Sequence, residues 1–490
     1  MRSAPWHRRR ATENIVVRAH EHEPRGRVGG CFVRSLGTDR TRGERLQPDA
    51  EFSWRAGTAR TRVEAARPMN ACFPRSTPRG FGPPSAPPLA ALFLLLTVAG
   101  IGRAQTPAAP SQDFSALLLP GVQRAVELGM KIEVGPTSDI PWREDYAKAT
   151  AFYHKDVRLN YAGGIEGYVA GLPFPDIDPN DPQAALKIIW NQTFTPWVVD
   201  DARARSVEWA SGNIVAGRGL VPDIGADLNQ YQESMLIRFY GRFRVAPTPA
   251  MPGNRDRVLQ MEALGPTFPA LNTLVPNGPL LTYRYLDARE DDVWYYTPFT
   301  RRLRRLSPQI RYNTPGEVVI DLNSIFGFDA PIASYSWRLI GERELLGPIN
   351  VRDYPAKWCP GDASFAPCDV WEKREAWIVE ATARLPYDAY SKRIIAIDKK
   401  TWLVLGTDLY DGGGELWKTV FNLWRHMPVP NAEGRTEQMM LILAGTAIDL
   451  QASRALRWRF PHSRDVPMVQ VNVGLRPIDF SVGRMASAFR

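Results

Sequence analysis

The chain has 490 residues, 61 of them basic and 52 acidic, for a net charge of +9, with 44% hydrophobic residues. All of the excess positive charge sits in the first 104 residues, which hold 18 Arg, no Lys and 8 acidic residues. The remaining 386 carry 43 basic and 44 acidic side chains, so the net charge gives no ground for a nucleic-acid partner.

Residues 1–68 are basic and show no hydrophobic periodicity. Two readings fit them: a stretch upstream of the true start, or a disordered basic arm. Residues 69–104 read as an export signal. Met69 opens it, Arg75 and Arg79 form a basic region, and residues 89–101 form an apolar run that ends at Gly102-Arg103-Ala104. That run is shorter than the roughly 20 residues a membrane span needs. The mature chain is expected to start near Gln105 and to work in the periplasm. No Cys directly follows the apolar run at the cleavage site, so a lipoprotein anchor is not expected.

Residues 105–160 form a lead-in, partly helical and broken at Pro141. After the Asp/Pro-rich loop 173–182, Ala184, Ala185, Ile188 and Ile189 have helical spacing. Asp176-Ile-Asp178-Pro-Asn180-Asp181 starts like a calcium loop. However, its sixth position is Asp181 where Gly is needed and its twelfth is Lys187 where Glu is needed, so it reads as a solvated turn.

Beyond residue 230 the pattern changes to alternation. In 234–245, Met235, Ile237, Phe239, Gly241, Phe243 and Val245 share one face, with Arg238, Arg242 and Arg244 on the other. Further strands are predicted at 256–263, 280–287, 292–297, 335–346, 371–383, 391–398, 401–410, 415–424 and 437–450, with a short helix at 319–327. Asp398-Lys399-Lys400 and Asp411-Gly412-Gly413-Gly414 read as compact hairpin turns. The fold class is therefore mainly β (α+β), a curved antiparallel meander or half-barrel over 161–452 wrapping short helices, with 453–490 as a tail.

Ile237, Phe239, Gly241 and Phe243 are candidates for an apolar ligand cavity, the glycine leaving room between its neighbours. Thirteen Trp follow residue 104, and Trp294, Trp377, Trp402 and Trp417 lie on predicted strands where they either fill a core or line the same cavity. Arg301, Arg302, Arg304 and Arg305 make the densest basic cluster, either a solvated edge or a contact for an anionic headgroup or partner protein. Cys359 and Cys368, nine positions apart in a Pro/Gly-containing loop of an exported chain, read as a disulfide. His154, His426 and His462 have no partners at metal-ligand spacing, and no nucleophile or phosphate-loop motif is present. No catalytic residue, metal or cofactor is expected.

Several segments together resemble the bacterial secreted family known as domain of unknown function 1329. They include Tyr168-Val-Ala-Gly171-Leu-Pro173-Phe-Pro175, Trp190-Asn191, Val293-Trp294-Tyr-Tyr-Thr-Pro298, Phe326-Gly327-Phe328 and Trp337-Arg338-Leu339-Ile340-Gly341. They continue with Trp377-Ile-Val379-Glu380-Ala381, Tyr390-Ser391-Lys392-Arg393, Asp408-Leu-Tyr410-Asp411 and Leu416-Trp417. The resemblance implies a fold like the LolA/LolB lipoprotein carriers, which bind acyl chains and are not enzymes. It also implies a link to envelope transporters and outer-membrane partners. The chain departs from the family in its short stretch before Tyr161 and in its tail after Ala452. The expected function is a periplasmic carrier or chaperone for lipid-like molecules, with a protein-binding adaptor of an envelope transporter as the alternative.

Overall fold

The computed structural model describes residues 114–197, 201–204, 207–223, 231–232, 236–239, 258–264, 280–285, 289–297, 300–312, 319–431, 433–460 and 469–488. Segments 1–68 and 69–104, together with Gly241 and Phe243, lie outside them. The fold is mainly β, as expected.

Seven successive antiparallel strands form the centre of an eleven-stranded sheet: Tyr335–Gly347, Val370–Ala383, Lys392–Asp398, Val404–Tyr410, Leu416–Pro430, Thr436–Asp449 and Arg454–Arg459. Val207–Val215 and Gly219–Pro222 extend it past the last of these. Near its other end Glu133–Gly135 pairs in parallel with residues 370–372. The sheet curves without closing. A second, seven-stranded sheet runs in the order Arg302–Leu306, Asp292–Thr297, Leu280–Tyr285, Val258–Leu264, Leu236–Phe239, Asp201–Ala204 and Val469–Val471.

The large sheet is buried on both faces. Along Val370–Ala383, Ala376 and Ile378 enter one core while Trp377, Val379 and Ala381 enter another. The next strand repeats this, with Ala396 on the first side and Ile395 and Ile397 on the second. Period-two geometry sends neighbouring residues to opposite faces, so a sheet covered twice needs apolar residues at both parities. Two short helices help supply the covers. Pro120–Glu127 adds Val122 and Ala125 to the first core, and Ala184–Thr193 adds Ala185, Ile188 and Ile189 to the second.

The helix Pro120–Glu127 has no capping side chain of its own. Its Gly121 N–H donates instead to Asp408 Oδ2 at 2.9 Å, a carboxylate 287 residues away that is fully buried in the sheet. Thr419 Oγ1 donates to the other oxygen at 2.8 Å. Burial outweighs these two bonds and pushes the Asp408 carboxyl up to about 6, from an ordinary 3.8. Between roughly pH 4 and pH 6 the folded chain therefore keeps a proton that the unfolded chain has released, and this group's contribution falls as pH rises. Asp408→Asn carries no such proton. Relative to wild type, it should gain about 2 kcal/mol in unfolding free energy from pH 4 to pH 7, measured by urea denaturation at each pH. A difference that stays flat across that range would contradict the shift.

Two expectations are corrected. Residues 319–327 form turns, not a helix. Asp321 accepts the Asn323 N–H at 2.9 Å, Gly327 has φ +91°, and the Asn323 side chain accepts from Arg311 Nε at 3.0 Å. These polar ties outcompete the helical spacing of the apolar residues. Nor does the β structure stop at Ala452. Asp449 accepts the Ala452 N–H at 2.8 Å to close a turn, and Arg454–Arg459 then fills the gap between Thr436–Asp449 and Val207–Val215. Val469–Val471 joins the second sheet beside Asp201–Ala204.

Candidate ligand cavity

A cavity of about 240 Å³ lies where the two sheets approach each other. Its walls come from Met439, Met440, Leu441 and Ile442 of the large sheet and from Ala202, Arg203 and Ala204 of the second. Trp190 of the helix Ala184–Thr193, the following Trp197, and Phe326, Phe328 and Ile332 of the 319–332 loop complete them. Three packed clusters meet here. Trp190 and Phe328 belong to one, Trp197 and Met440 to a second, and Ala204 and Phe460 to a third. A void at such a junction has apolar walls because each cluster presents its outer members to it.

The segment preceding the helix is fixed by one amide. Asn191, fully buried, accepts the Phe174 N–H at 2.9 Å and donates to the Phe174 carbonyl at 2.6 Å. This satisfies a buried peptide unit that has no strand partner. Trp190 of the cavity wall donates its Nε1 proton to the Gly163 carbonyl at 2.9 Å.

The polar part of the wall includes a buried ion network. Arg284 holds Asp291 through two bonds, of 2.8 and 3.2 Å, and reaches Asp329 Oδ1 at 2.8 Å. Arg311 reaches Asp329 Oδ2 at 3.4 Å and Thr282 Oγ1 at 3.2 Å. Two guanidiniums thus face two carboxylates, and the group ties the loop carrying Phe328 to the second sheet.

The expected site residues fall in several places. Trp377 and Trp402 pack in the core beneath the helix Ala184–Thr193. Trp417 lies against Tyr390, with ring centres 5.5 Å apart, and Trp294 against Tyr283 at 4.9 Å. None of the four is among the residues lining the cavity, where Trp190, Trp197 and Trp424 stand instead. Ile237 and Phe239 lie on the strand paired with Asp201–Ala204, with Ile237 opposite Arg203 in register. Arg302, Arg304 and Arg305 lie exposed on the outermost strand of the second sheet, with Arg301 exposed just before it at φ +52°. Arg305 pairs with Asp292.

Arg203 and Met439–Ile442 went unrecognised in sequence. The run of four consecutive apolar residues carried a signal, since only a strand buried on both faces has no polar alternation. Arg203, one arginine among many, carried none.

Cys359 and Cys368 are bridged, with Cα atoms 4.9 Å apart. The Cys359 N–H donates to the Ala366 carbonyl and the Cys368 N–H to the Lys357 carbonyl, so the loop is a small hairpin that the bridge staples. Reduction should cost about 2–3 kcal/mol of stability in the loop-entropy account, read as a lowered melting temperature in dithiothreitol. No change in melting on reduction would mean that the bridge does not constrain the unfolded chain.

A family described as protein of unknown function DUF1329 matches residues 108–485. The uncharacterised protein PA3922 of Pseudomonas aeruginosa is 27% identical over 269 residues, which is 52% of this chain and 53% of that protein. The chain thus spans about half the length of this curated relative. Among solved structures, a DUF1329 family protein from Desulfovibrio piger is 14% identical with a TM-score of 0.36, covering 60% of this chain and 92% of the other. A LolA superfamily protein, NE2245 of Nitrosomonas europaea, is 12% identical with a TM-score of 0.33, covering 61% and 98%.

Proposed function

The chain belongs to the DUF1329 family, and on that premise we propose that it is a periplasmic carrier of lipid-like hydrophobic molecules, exported by the 69–104 signal and serving an envelope transport system. The observation that carries this reading is the cavity between the two sheets, walled by Trp, Phe, Met, Leu and Ile side chains. Moving apolar ligand surface from water into such a space contributes about 25 cal/mol per Å² before association costs. A non-enzymatic role accords with its lining. Among the described residues, Asp329 is the one carboxylate lining the space and is held by Arg284 and Arg311, and no described Ser, Cys or His lines it.

A second reading, an adaptor for a transporter or outer-membrane protein, draws on the exposed strand Arg302–Leu306. It pairs on one side only among the described strands and exposes Leu303 among its arginines.

Native mass spectrometry of protein purified from its own periplasm tests both. A co-purified hydrophobic adduct, on a chain whose mass begins near Gln105, is the expected result. A ligand-free chain that also binds no added amphiphile would sink the carrier reading and leave the adaptor.

A further inference from the structure

We propose that Arg203 makes the cavity selective for single-chain amphiphiles that carry an anionic head. This deepens the carrier reading and rests on it. Arg203 lies in the strand Asp201–Ala204 and lines the cavity, half-buried. Its Nε is buried without a hydrogen-bond partner, and its guanidinium pairs with no carboxylate among the described residues.

The other charges at the wall are already matched. Arg284 is committed to Asp291 and Asp329, and Asp329 is shared with Arg311. The hydroxyls of Thr193 and Thr195 donate to the carbonyls of Ile189 and Thr401 at 3.0 and 2.9 Å, and Tyr285 donates to Asp292. Against this background Arg203 leaves a surplus positive charge beside apolar walls. A partly desolvated guanidinium without a counter-ion is unfavourable, and a carboxylate or phosphate monoester would pair with it through charge-assisted, two-pronged hydrogen bonds.

Size narrows the ligand further. Pockets for small molecules span about 300–1,000 Å³, and this one holds about 240 Å³. One short or folded chain fits within it. Fatty acids and lysophospholipid-type phosphates share the required chemistry.

The test is isothermal titration of the folded, exported chain with four ten-carbon probes below their micelle concentrations: decanoate, decyl phosphate, decanol and decyltrimethylammonium. Decanoate or decyl phosphate should bind at least tenfold tighter than decanol, and the ammonium compound more weakly than decanol. The tighter of the two anions identifies the head as carboxylate or phosphate. Arg203→Met should erase the gap between anion and alcohol while leaving decanol affinity within twofold, and Arg203→Lys should keep most of the gap. The retained decanol binding also shows that Arg203→Met is folded. Wild-type protein that binds decanol as tightly as both anions overturns the proposal, as does Arg203→Met weakening all probes alike. Failure of all four to bind wild type overturns the carrier reading itself.

Discussion

Replacing Asp398 by Ala should lower the unfolding free energy by about 3–5 kcal/mol, the usual cost of removing one partner from a buried ion pair. Asp398 is 1% exposed and accepts two bonds from Arg374, at 2.8 and 3.1 Å. It also accepts the Thr401 N–H and hydroxyl, both at 2.6 Å, and so shapes the turn from Asp398 to Leu403. In that turn Trp402 takes φ +59°, a conformation costly for a bulky residue, with its side chain buried beneath the helix Ala184–Thr193. The substitution strands Arg374 with Glu372, 3.3 Å away, and the Ser138 carbonyl. It also frees the turn that positions Trp402. The triple change Arg374→Met, Asp398→Leu and Glu372→Gln should recover much of the loss, because buried Glu372, the other partner of Arg374, is neutralised too and no buried charge is then left unmatched. Urea denaturation of the three proteins decides it; a loss below 1 kcal/mol for Asp398→Ala would refute the argument.

Gly121→Ala should cost about 2–5 kcal/mol, although alanine is the better helix former by about 1 kcal/mol at an exposed interior position. A Cβ at Gly121 would stand 2.3 Å from Asp408 Oδ1 and 2.4 Å from Thr419 Cβ. The helix Pro120–Glu127 would have to lift, lengthening the Gly121–Asp408 hydrogen bond and unseating Val122 and Ala125. Overpacking and an unsatisfied buried carboxyl each contribute about 1–3 kcal/mol. Gly412→Ala is the control, since its Cβ would meet nothing within 4 Å. It should stay within about 0.5 kcal/mol. Equal melting temperatures for the two variants would show that the close approach at Gly121 does not matter.

These two sites mark the boundary of what a linear reading reaches. The turn at Asp398-Lys399-Lys400 was legible because an Asp beside polar residues between two apolar runs announces a hairpin locally. So were the helix at Ala184–Thr193, from its apolar spacing, and the Cys359–Cys368 bridge, from nine-residue proximity in a Pro/Gly-containing loop. The partner of Gly121 was not, because nothing near residue 121 refers to residue 408.

Local order is set by interactions a few residues long, so the alternation of strands, the turn residues and the family motifs determined a mainly β, curved-sheet protein of the DUF1329 family from sequence alone. Tertiary structure decided everything that depends on which distant surfaces meet. It buried the large sheet on both faces, replaced the apolar-spaced helix at 319–327 with polar turns, and spread Trp294, Trp377, Trp402 and Trp417 through cores away from the cavity. It also brought Arg203 to the wall of the space between the sheets. A cavity is where packing between long-range partners stays incomplete. No short window of sequence encodes that gap, because it belongs to the fit of two sheets rather than to either one.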